Sequence, residues 1–229
     1  MTAIDLSAVD TVITSRKSVR AYKKDAVSPE LLRHLLEMAM HAPSTTNTQP
    51  WKVYVLTGAA LKRLTDAVCA AFDTEAEKHR SEYAYYPDKP LEPYLSRRRK
   101  LGHDMYRLLG IAREDRKKRL EQHRKNLEFF GAPAGLIFTL HRDLPPANFI
   151  DYGAFFQNIM LSAKSHGLDT CIQAYWSDYH RVIRDVLGLA PEEMVLAGMA
   201  VGYADTEAVI NRLVSEREPV DAFATFMDR

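Results

Sequence analysis

A long apolar stretch near residue 150 sets the strictest limit on how this chain can fold. Between Phe149 and Ala163 the only charged residue is Asp151, and Gly167 provides a stop shortly afterwards. A helix that is apolar nearly all round has to be covered on nearly all sides. A chain of 229 residues does not easily cover such a helix by itself. The sequence therefore predicts a central buried helix and a large interface with a second subunit.

The composition is that of an ordinary globular protein. Hydrophobic residues make up 46% and charged residues 27%, and the net charge is +1, so nothing demands nucleic acid, an anionic membrane or an acidic partner. No apolar run approaches the roughly 20 residues of a membrane helix, and the N-terminus lacks the pattern of a leader. Cys69 and Cys171 lie far apart, and free buried thiols are favoured over a disulfide. We therefore expect a soluble, cytoplasmic protein.

Helical and extended patterns are mixed along the chain without strict alternation. A first short helix ends near Ser15, and Ser28 with Pro29 begins a second helix, which Pro43 stops. Further helices are predicted at 60–78, at 96–130 in two pieces around Gly110, at 148–166 and at 179–187. Strands are predicted at 51–57, 135–140 and 195–203, with a short apolar segment at 170–175 and a terminal strand at 221–227. This mixture favours the α+β class over a doubly wound fold.

Residues 15–20 combine three cations with two hydroxyls. Arg16, Lys17 and Arg20 stand close to Ser15 and Ser18 at the end of the first predicted helix. Guanidinium, ammonium and hydroxyl groups at this spacing can enclose a phosphate through charge-assisted hydrogen bonds. Taken alone, the segment is more typical of a solvated basic helix end, because most short basic clusters lie on protein surfaces.

Residues 42–51 form a stretch of small polar residues between a predicted helix and a predicted strand. Pro43 and Pro50 enclose it, and it contains Ser44, Asn47 and Gln49. The amide side chains could read the donor and acceptor edge of a flat heterocycle. Taken alone, this stretch is more typical of a polar turn.

Together, the order and spacing of these two segments indicate a known family. The stretch SRKSVRAYKKDAVSPELLRHLLEMAMHAPSTTNTQPWKVYVLTG, residues 15–58, resembles the opening of nitroreductase-family flavoproteins. That family begins with a basic R-R-S-x-R-x-F-like segment, a helix, the pattern A-P-S-x-x-N-x-Q-P-W and a strand. Order, spacing and residue types all match over this stretch, which makes the resemblance specific.

The resemblance continues downstream. The stretch DYGAFFQNIMLSAKSHG resembles the family's central helix, GLDTCIQAYW its segment near the reactive face of the flavin, VLAGMAVGYAD its late strand, and NRLVSEREP its C-terminal flavin-phosphate motif. TCIQA and SERxP together resemble the branch that holds nitroaromatic and nitrobenzoate reductases. The matches run from about residue 14 to 223 and leave 75–128 uncovered.

The resemblance implies a single nitroreductase-like domain over residues 1–229. Its α+β fold has a mixed, mainly antiparallel sheet flanked by helices, and it forms an intertwined homodimer with FMN at the subunit interface. A helical, lid-like insertion is expected at about 79–130.

The activity implied by the resemblance is that of an FMN-dependent oxidoreductase with ping-pong kinetics. Electrons pass from NADH or NADPH through FMN to nitroaromatic or quinone-like acceptors. The sequence has no diagnostic pocket for a 2′-phosphate, so it leaves the choice between NADH and NADPH open. Two alternatives stay open: reductive dehalogenation or other flavin chemistry on the same scaffold, and a non-catalytic FMN-binding protein.

Five positions carry the implied contacts at the phosphate and at one edge of the flavin ring. Arg16 and Ser18 should hold the FMN phosphate, with help from Arg217. Lys17 departs from the family's usual arginine, which keeps the charge but loses the planar fork of donors. Arg20 should lie beside N1 and O2 of the isoalloxazine.

Five further positions carry the implied contacts along the ring. Pro43, Ser44 and Asn47 should line the flavin from the other subunit, with Asn47 near its pyrimidine edge. Gln173 and Ala174 should lie near O4 and N5. No side chain is assigned as a general acid or base, because solvent can supply the protons.

The insertion carries tyrosines that have two interpretations. Tyr83, Tyr85, Tyr86 and Tyr94 could cover an aromatic substrate, or they could simply pack against one another in a loop.

Two basic runs in the insertion, 97–100 and 113–119, raise nucleic-acid binding as a rival function. Acidic residues interrupt them, and the helical pairs Glu114–Lys118 and Glu121–Lys125 predict a solvated, neutralised face instead. The eight histidines have no metal-ligand spacing, so no metal is predicted.

Overall fold

A four-stranded sheet lies at the centre of the computed structural model, which describes residues 5–227. The strands lie in the order β1-β2-β4-β3, and all three neighbouring pairs are antiparallel. Among the described residues, the parallel contact is a single bridge between Ser18 and Thr170. The predicted α+β class is confirmed. Residues 1–4, on which the predicted lack of a leader partly rests, lie outside the described part. The strands are β1 (Lys52–Thr57), β2 (Ala134–His141), β3 (Asp169–Gln173) and β4 (Glu193–Gly202).

Helices cover both faces of the sheet, so the central strands β2 and β4 are buried almost throughout. Successive side chains of a strand point to opposite faces. Ile137 of β2 accordingly joins the core that contains Leu64, and Phe138 joins the core that contains Phe155. The helices are α1 (Ala8–Ser15), α2 (Pro29–Ala39), α3 (Gly58–Glu75), α4 (Tyr94–Leu108), α5 (Arg116–Arg124), α6 (Ala147–Ser165) and α7 (His180–Leu187).

The long apolar helix α6 is fully buried on one side only, and most of its other residues are half-buried. Tyr152, Phe155, Ile159 and Ala163 recur at three and four residues and are at most 2% exposed, because this face packs on the sheet and α2. Ile150, on another face, is 78% exposed. Within one subunit, the predicted burial of this helix is therefore met on its sheet side alone.

Two aromatic rings lie flat on glycines of the two central strands. Trp176 and Phe129 are stacked with ring centroids 4.1 Å apart. A Cβ atom on Gly198 would lie 2.3 Å from Cδ1 of Trp176, and one on Gly135 would lie 2.6 Å from Cε2 of Phe129. The bare backbone at both glycines is thus what admits the rings. The stack joins the end of the insertion to the segment that follows β3.

The predicted terminal strand at 221–227 is wrong for this subunit. The structure has a short 3-10 turn at Val220–Ala222, followed by irregular chain. Phe223 and Phe226 are 74% and 78% exposed. An alternating pattern forms a strand only where a sheet edge accepts it, and within the described residues this segment pairs with no strand.

A buried carboxylate on the first residue of β4 joins this strand to β1 and β2. Glu193 is 5% exposed, and its oxygens accept hydrogen bonds from Lys52 Nζ at 2.6 Å, Thr139 Oγ1 at 2.7 Å and Tyr54 Oη at 2.9 Å. Burial raises the pKa of Glu193, but these donors outweigh it and lower the pKa to about 2, against an ordinary value of 4.5.

Glu193→Gln should reduce the free energy of unfolding at pH 7 by roughly 3 kcal/mol, the equivalent of the pKa difference between the folded and unfolded states. Because the folded-state pKa is the lower one, the carboxylate stabilises the protein above pH 4.5 and loses this effect as pH falls toward about 2. Urea unfolding of both proteins from pH 7 to pH 3 should show the difference shrinking below pH 4.5. A difference that is equal at every pH would contradict this account.

Candidate active site

The basic segment after α1 runs along the open edge of β3. The Val19 amide donates to the Thr170 carbonyl at 3.1 Å, and the Lys23 amide donates to the Tyr203 carbonyl at 2.9 Å. Val19 is fully buried. Since alternate residues of an extended segment point to opposite sides, Ser18 and Arg20 are directed away from that core. Both are half-buried, so their polar groups remain available beside the sheet.

Asn211 holds this segment in place, and the sequence interpretation did not identify it. Its side-chain oxygen accepts from the Arg20 amide at 2.8 Å, and its side-chain nitrogen donates to the carbonyls of Ala21 at 2.8 Å and Asp205 at 2.9 Å. Its own carbonyl accepts from Lys17 Nζ at 2.6 Å, which uses one of the three donors of that ammonium. A buried amide with these bonds fixes the backbone under Arg20. The only sequence signal was its place at the start of NRLVSEREP.

Arg217 lies on the C-terminal arm, residues 213–219, which packs against α4. Ion pairs fasten the arm there, between Glu216 and Lys100 and between Glu218 and Arg97, each at 2.9 Å. Nη1 of Arg217 donates to Ser215 Oγ at 2.6 Å. No hydrogen bond or ion pair within residues 5–227 joins Arg217 to the basic segment, so the structure leaves these predicted phosphate ligands on separate elements.

The amide-rich loop after α2 is anchored to the one charged residue of the apolar part of α6. Asp151 accepts from the Thr45 amide at 2.9 Å, from the Thr45 hydroxyl at 3.1 Å and from the Asn148 amide at 2.7 Å. Burial raises the pKa of Asp151, but these bonds outweigh it and hold the pKa below its ordinary value. This otherwise apolar stretch therefore keeps a carboxylate because the carboxylate holds the loop.

The backbone of the same loop is strained. Thr46, Asn47 and Gln49 have φ values of 50°, 60° and 46°, a region that costs residues other than glycine about 1–3 kcal/mol each. Ser44 opposes the strain, because its Oγ accepts from the Gln49 amide at 3.0 Å. Such conformations concentrate at functional sites. Pro43 and Asn47 are exposed and Ser44 is half-buried.

Gln173 and Ala174 stand where β3 ends in a 3-10 turn, Ala174–Tyr179. Gln173 is 4% exposed, and its Nε2 donates to the Asn126 carbonyl of the insertion at 2.6 Å. Its Oε1 and the hydroxyl of Thr170 are buried and have no hydrogen-bond partner among the described residues. Unpartnered buried polar atoms are rare in proteins and are a reason to expect a ligand.

A small cavity separates the basic segment from the insertion. It encloses about 240 Å³ and is lined by Arg20 on one side and by residues of α4, α5 and the following turn on the other, among them Met105, Gln122, His123 and Asn126. Cys171 lies behind Arg20. Burial raises the pKa of the Cys171 thiol, so the thiol stays protonated, and both cysteines are free and buried as predicted.

The four tyrosines of the insertion fall into two groups. The hydroxyl of Tyr83 donates to the Leu196 carbonyl, and that of Tyr85 donates to Asp178 at 2.8 Å, so these two support the packing interpretation. Tyr86 and Tyr94 are 57% and 64% exposed and stay available to a ligand.

Within one subunit, the predicted residues form separate groups. The basic segment lies beside β3, close to Gln173 and Ala174, whereas Pro43, Ser44 and Asn47 lie on the loop that α6 anchors. No hydrogen bond or ion pair of residues 5–227 joins that loop to the basic segment.

In the same part of the chain, no helix has the length and apolar character needed to cross a membrane.

Comparison with known proteins agrees with this geometry. The model of the nitroreductase family matches residues 13–203. The chain is 41% identical to a nitrobenzene nitroreductase of Ectopseudomonas oleovorans, over 96% of each chain. It is 40% identical to a 4-nitrobenzoate reductase of a Nocardioides species, over 97% of this chain and 91% of that protein.

Solved structures extend the comparison to the fold. The FMN and NADPH-dependent nitroreductase NfnB of Sphigopyxis sp. strain HMH superposes with a TM-score of 0.94 at 35% identity, over 97% of this chain and all of that one. The FMN-dependent NfnB of Mycobacterium smegmatis, solved with NADPH, superposes with a TM-score of 0.91 at 32% identity, over 96% of this chain and 98% of that one.

Proposed function

Because this chain belongs to the nitroreductase family, we propose that it is an FMN-dependent enzyme that transfers electrons from NADH or NADPH to nitroaromatic or quinone-like acceptors. The observation that carries the proposal is the cationic segment held by Asn211 beside unpartnered polar atoms of β3. Relatives over nearly the whole chain are nitroaromatic reductases, which favours nitro reduction over dehalogenation or storage of FMN.

The residues present suit FMN. Arg16, Lys17 and Ser18 would offer charge-assisted donors to its phosphate, and Arg217 would add a guanidinium from the C-terminal arm. Arg20 would oppose the negative charge that FMN carries when it is reduced, and because Asn211 already fixes the Arg20 backbone, little reorganisation would be needed. When bound, FMN supplies the two-electron carrier chemistry that no side chain provides.

We propose that the site is completed by a second subunit. Pro43, Ser44 and Asn47 would reach the ring from the partner, since in their own subunit they lie apart from the basic segment. The open side of α6 and the exposed tail at 220–227 supply apolar surface for a homodimer interface. The outer edge of β1 has no neighbouring strand among the described residues and offers a place for such a tail.

Mixing two inactive variants should restore activity if the site is shared. In a mixed dimer of Arg20→Ala and Asn47→Ala chains, one site carries both defects and the other carries neither. Random pairing should therefore recover about a quarter of the wild-type activity, half of the dimers each having one intact site. Nitroreductase activity of co-expressed, differently tagged chains measures this. Activity no higher than that of the separate variants would contradict a shared site.

The insertion at about 79–130 is proposed to be a lid over the ring. Its α4 and α5 line the small cavity opposite Arg20, and the Gln173–Asn126 bond and the Phe129–Trp176 stack attach its end to the sheet. Tyr86 and Tyr94 are the more exposed of the four tyrosines. A guanidinium lies over one face of each ring, Arg98 over Tyr86 and Arg97 over Tyr94, so the other face is the one available to substrate.

Purified protein provides the direct test of the function. We expect a yellow protein whose visible spectrum is that of FMN, which NADH or NADPH bleaches and a nitrobenzoate restores. Bleaching without restoration by any nitroaromatic or quinone would favour an FMN-binding protein, and failure to take up FMN would refute the proposal.

We place the enzyme in the cytoplasm, because both cysteines are free thiols.

A further inference from the structure

Helices α4 and α5 enclose a second, larger cavity that the proposed function leaves without a role. It has a volume of about 840 Å³ and a basic lining. Of its five arginines, only Arg107 forms an ion pair within residues 5–227, with Asp104 at 3.2 Å. No carboxylate of residues 5–227 lines the cavity. The basic side chains are Arg98, Arg99, His103, Arg107, Arg113 and Arg119.

The acid–base pairs expected to neutralise this surface do not form. The pairs predicted between Glu114 and Lys118 and between Glu121 and Lys125 are absent from the ion pairs of the described residues. Lys118 instead pairs with Asp115 at 3.1 Å. Glu114 precedes the first residue of α5 and so lies outside the helical spacing on which that prediction relied. Four of the five arginines of the cavity are therefore left without a carboxylate partner among the described residues.

Two of the guanidinium groups are held in place by aromatic rings. The guanidinium of Arg119 lies 4.4 Å from the ring centroid of Tyr106, and that of Arg98 lies 4.4 Å from the ring centroid of Tyr86. A stacked guanidinium is covered on one face, while its N–H donors point outward in the ring plane and can bind an anion with two hydrogen bonds. Arg119 uses one Nη1 donor on the Arg113 carbonyl at 3.4 Å, which leaves its other N–H donors for a ligand. Phosphate has the geometry that such donors match.

The two cavities share a wall. Arg98, Gly102 and Tyr106 of α4 line both of them, and Arg20 lies on the far side of the smaller one. From Arg98 to Tyr106 the helix rises about 12 Å. A ligand that uses both cavities must reach across this wall of α4, with one end near Arg20 and an anionic group among the arginines on the other side. A single-ring nitroaromatic can occupy only one of them.

We infer that the arginine cavity binds the 2′-phosphate of NADPH and makes this enzyme prefer NADPH to NADH. The inference rests on the proposed function, because it places the nicotinamide end of the dinucleotide at the ring beside Arg20. NADPH carries a phosphate at its adenosine end that NADH lacks, and this is the group that unpaired arginines can distinguish.

A binding measurement tests the inference apart from turnover. Adenosine 2′,5′-bisphosphate and 5′-AMP are titrated calorimetrically into the FMN-loaded enzyme. Arg113→Ala with Arg119→Ala should weaken binding of the bisphosphate about tenfold or more and leave 5′-AMP unchanged. Arg113→Ala alone, which leaves the Tyr106 stack intact, should give a smaller loss. Arg116→Ala on α5 removes the same charge outside the cavity and should change neither.

Steady-state kinetics provide the second measurement. The double variant should raise KM for NADPH about tenfold with kcat and KM for NADH unchanged. Equal use of both dinucleotides by the wild type, or an equal loss for both in the variant, would overturn the inference and leave the proposed function standing. The inference would also be overturned if the double variant lost affinity for a DNA oligonucleotide that the wild type binds, while its kinetics with NADPH stayed unaltered. Failure to take up FMN would refute the function itself, along with the inference.

Discussion

Replacing Gly198 with alanine should strongly reduce the free energy of unfolding. The new methyl group would lie 2.3 Å from Cδ1 and 2.7 Å from Cγ of Trp176. Neither side can yield, because Gly198 belongs to the central strand β4 and Trp176 is fully buried against Phe129. Overpacking in a core typically costs about 1–3 kcal/mol and occasionally more. Because both neighbours are fixed here, we expect about 3 kcal/mol, which is a large share of the stability of a typical domain.

Denaturant unfolding of purified protein, and the soluble yield on expression, measure this effect. Gly102→Ala in α4 is the matched control, since nothing lies within 4 Å of its Cβ position and alanine favours a helix by about 1 kcal/mol. Trp176→Leu introduced together with Gly198→Ala should recover part of the loss by vacating the space. A Gly198→Ala protein within about 1 kcal/mol of the wild type would show that the stack shifts freely.

Arg20→Ala should slow reduction of the bound flavin about 100-fold, the usual effect of removing one fixed group that opposes a developing anion. The fold should be little affected. The side chain of Arg20 makes one hydrogen bond among the described residues, to the Ser18 carbonyl at 3.3 Å, whereas Asn211 holds its backbone. Folding and chemistry should therefore separate in this variant.

Anaerobic stopped-flow bleaching by NADPH measures the rate, and thermal unfolding measures stability. Lys23→Ala removes an exposed cation three residues away and should change neither quantity. Arg20→Lys keeps the charge but not the fork, so it should fall between the wild type and alanine. Full activity of Arg20→Ala would move the stabilising role to another residue.

Local patterns made much of this fold predictable. Ser28 and Pro29 begin α2 as expected, with Ser28 Oγ accepting from the Leu31 amide at 3.1 Å, because a helix start is encoded within a few residues. The β1, β2 and β4 strands likewise follow from their own composition. The tail at 221–227 was wrongly predicted as a strand because its pattern contains no information about whether a sheet edge is free.

The features that depend on distant residues could not be predicted. Asn211 bonds to Arg20 across 191 positions of sequence, and no local pattern marks it. In the sequence, Gly135 and Gly198 indicate only a local weakening of their strands. The structure shows that aromatic rings, Phe129 and Trp176, pack over them. The arginine cavity was predicted to be a neutral surface, because the spacing of Glu114 did not reveal that the helix starts after it.

The uneven covering of α6 has a consequence for how this protein tolerates dilution. Its sheet side is packed as tightly as any core, while Ile150 on another side is 78% exposed. If the second copy supplies the missing cover, every dissociation event returns apolar surface to water. The melting temperature should then fall as the protein concentration is lowered. Dilution alone would therefore destabilise this protein.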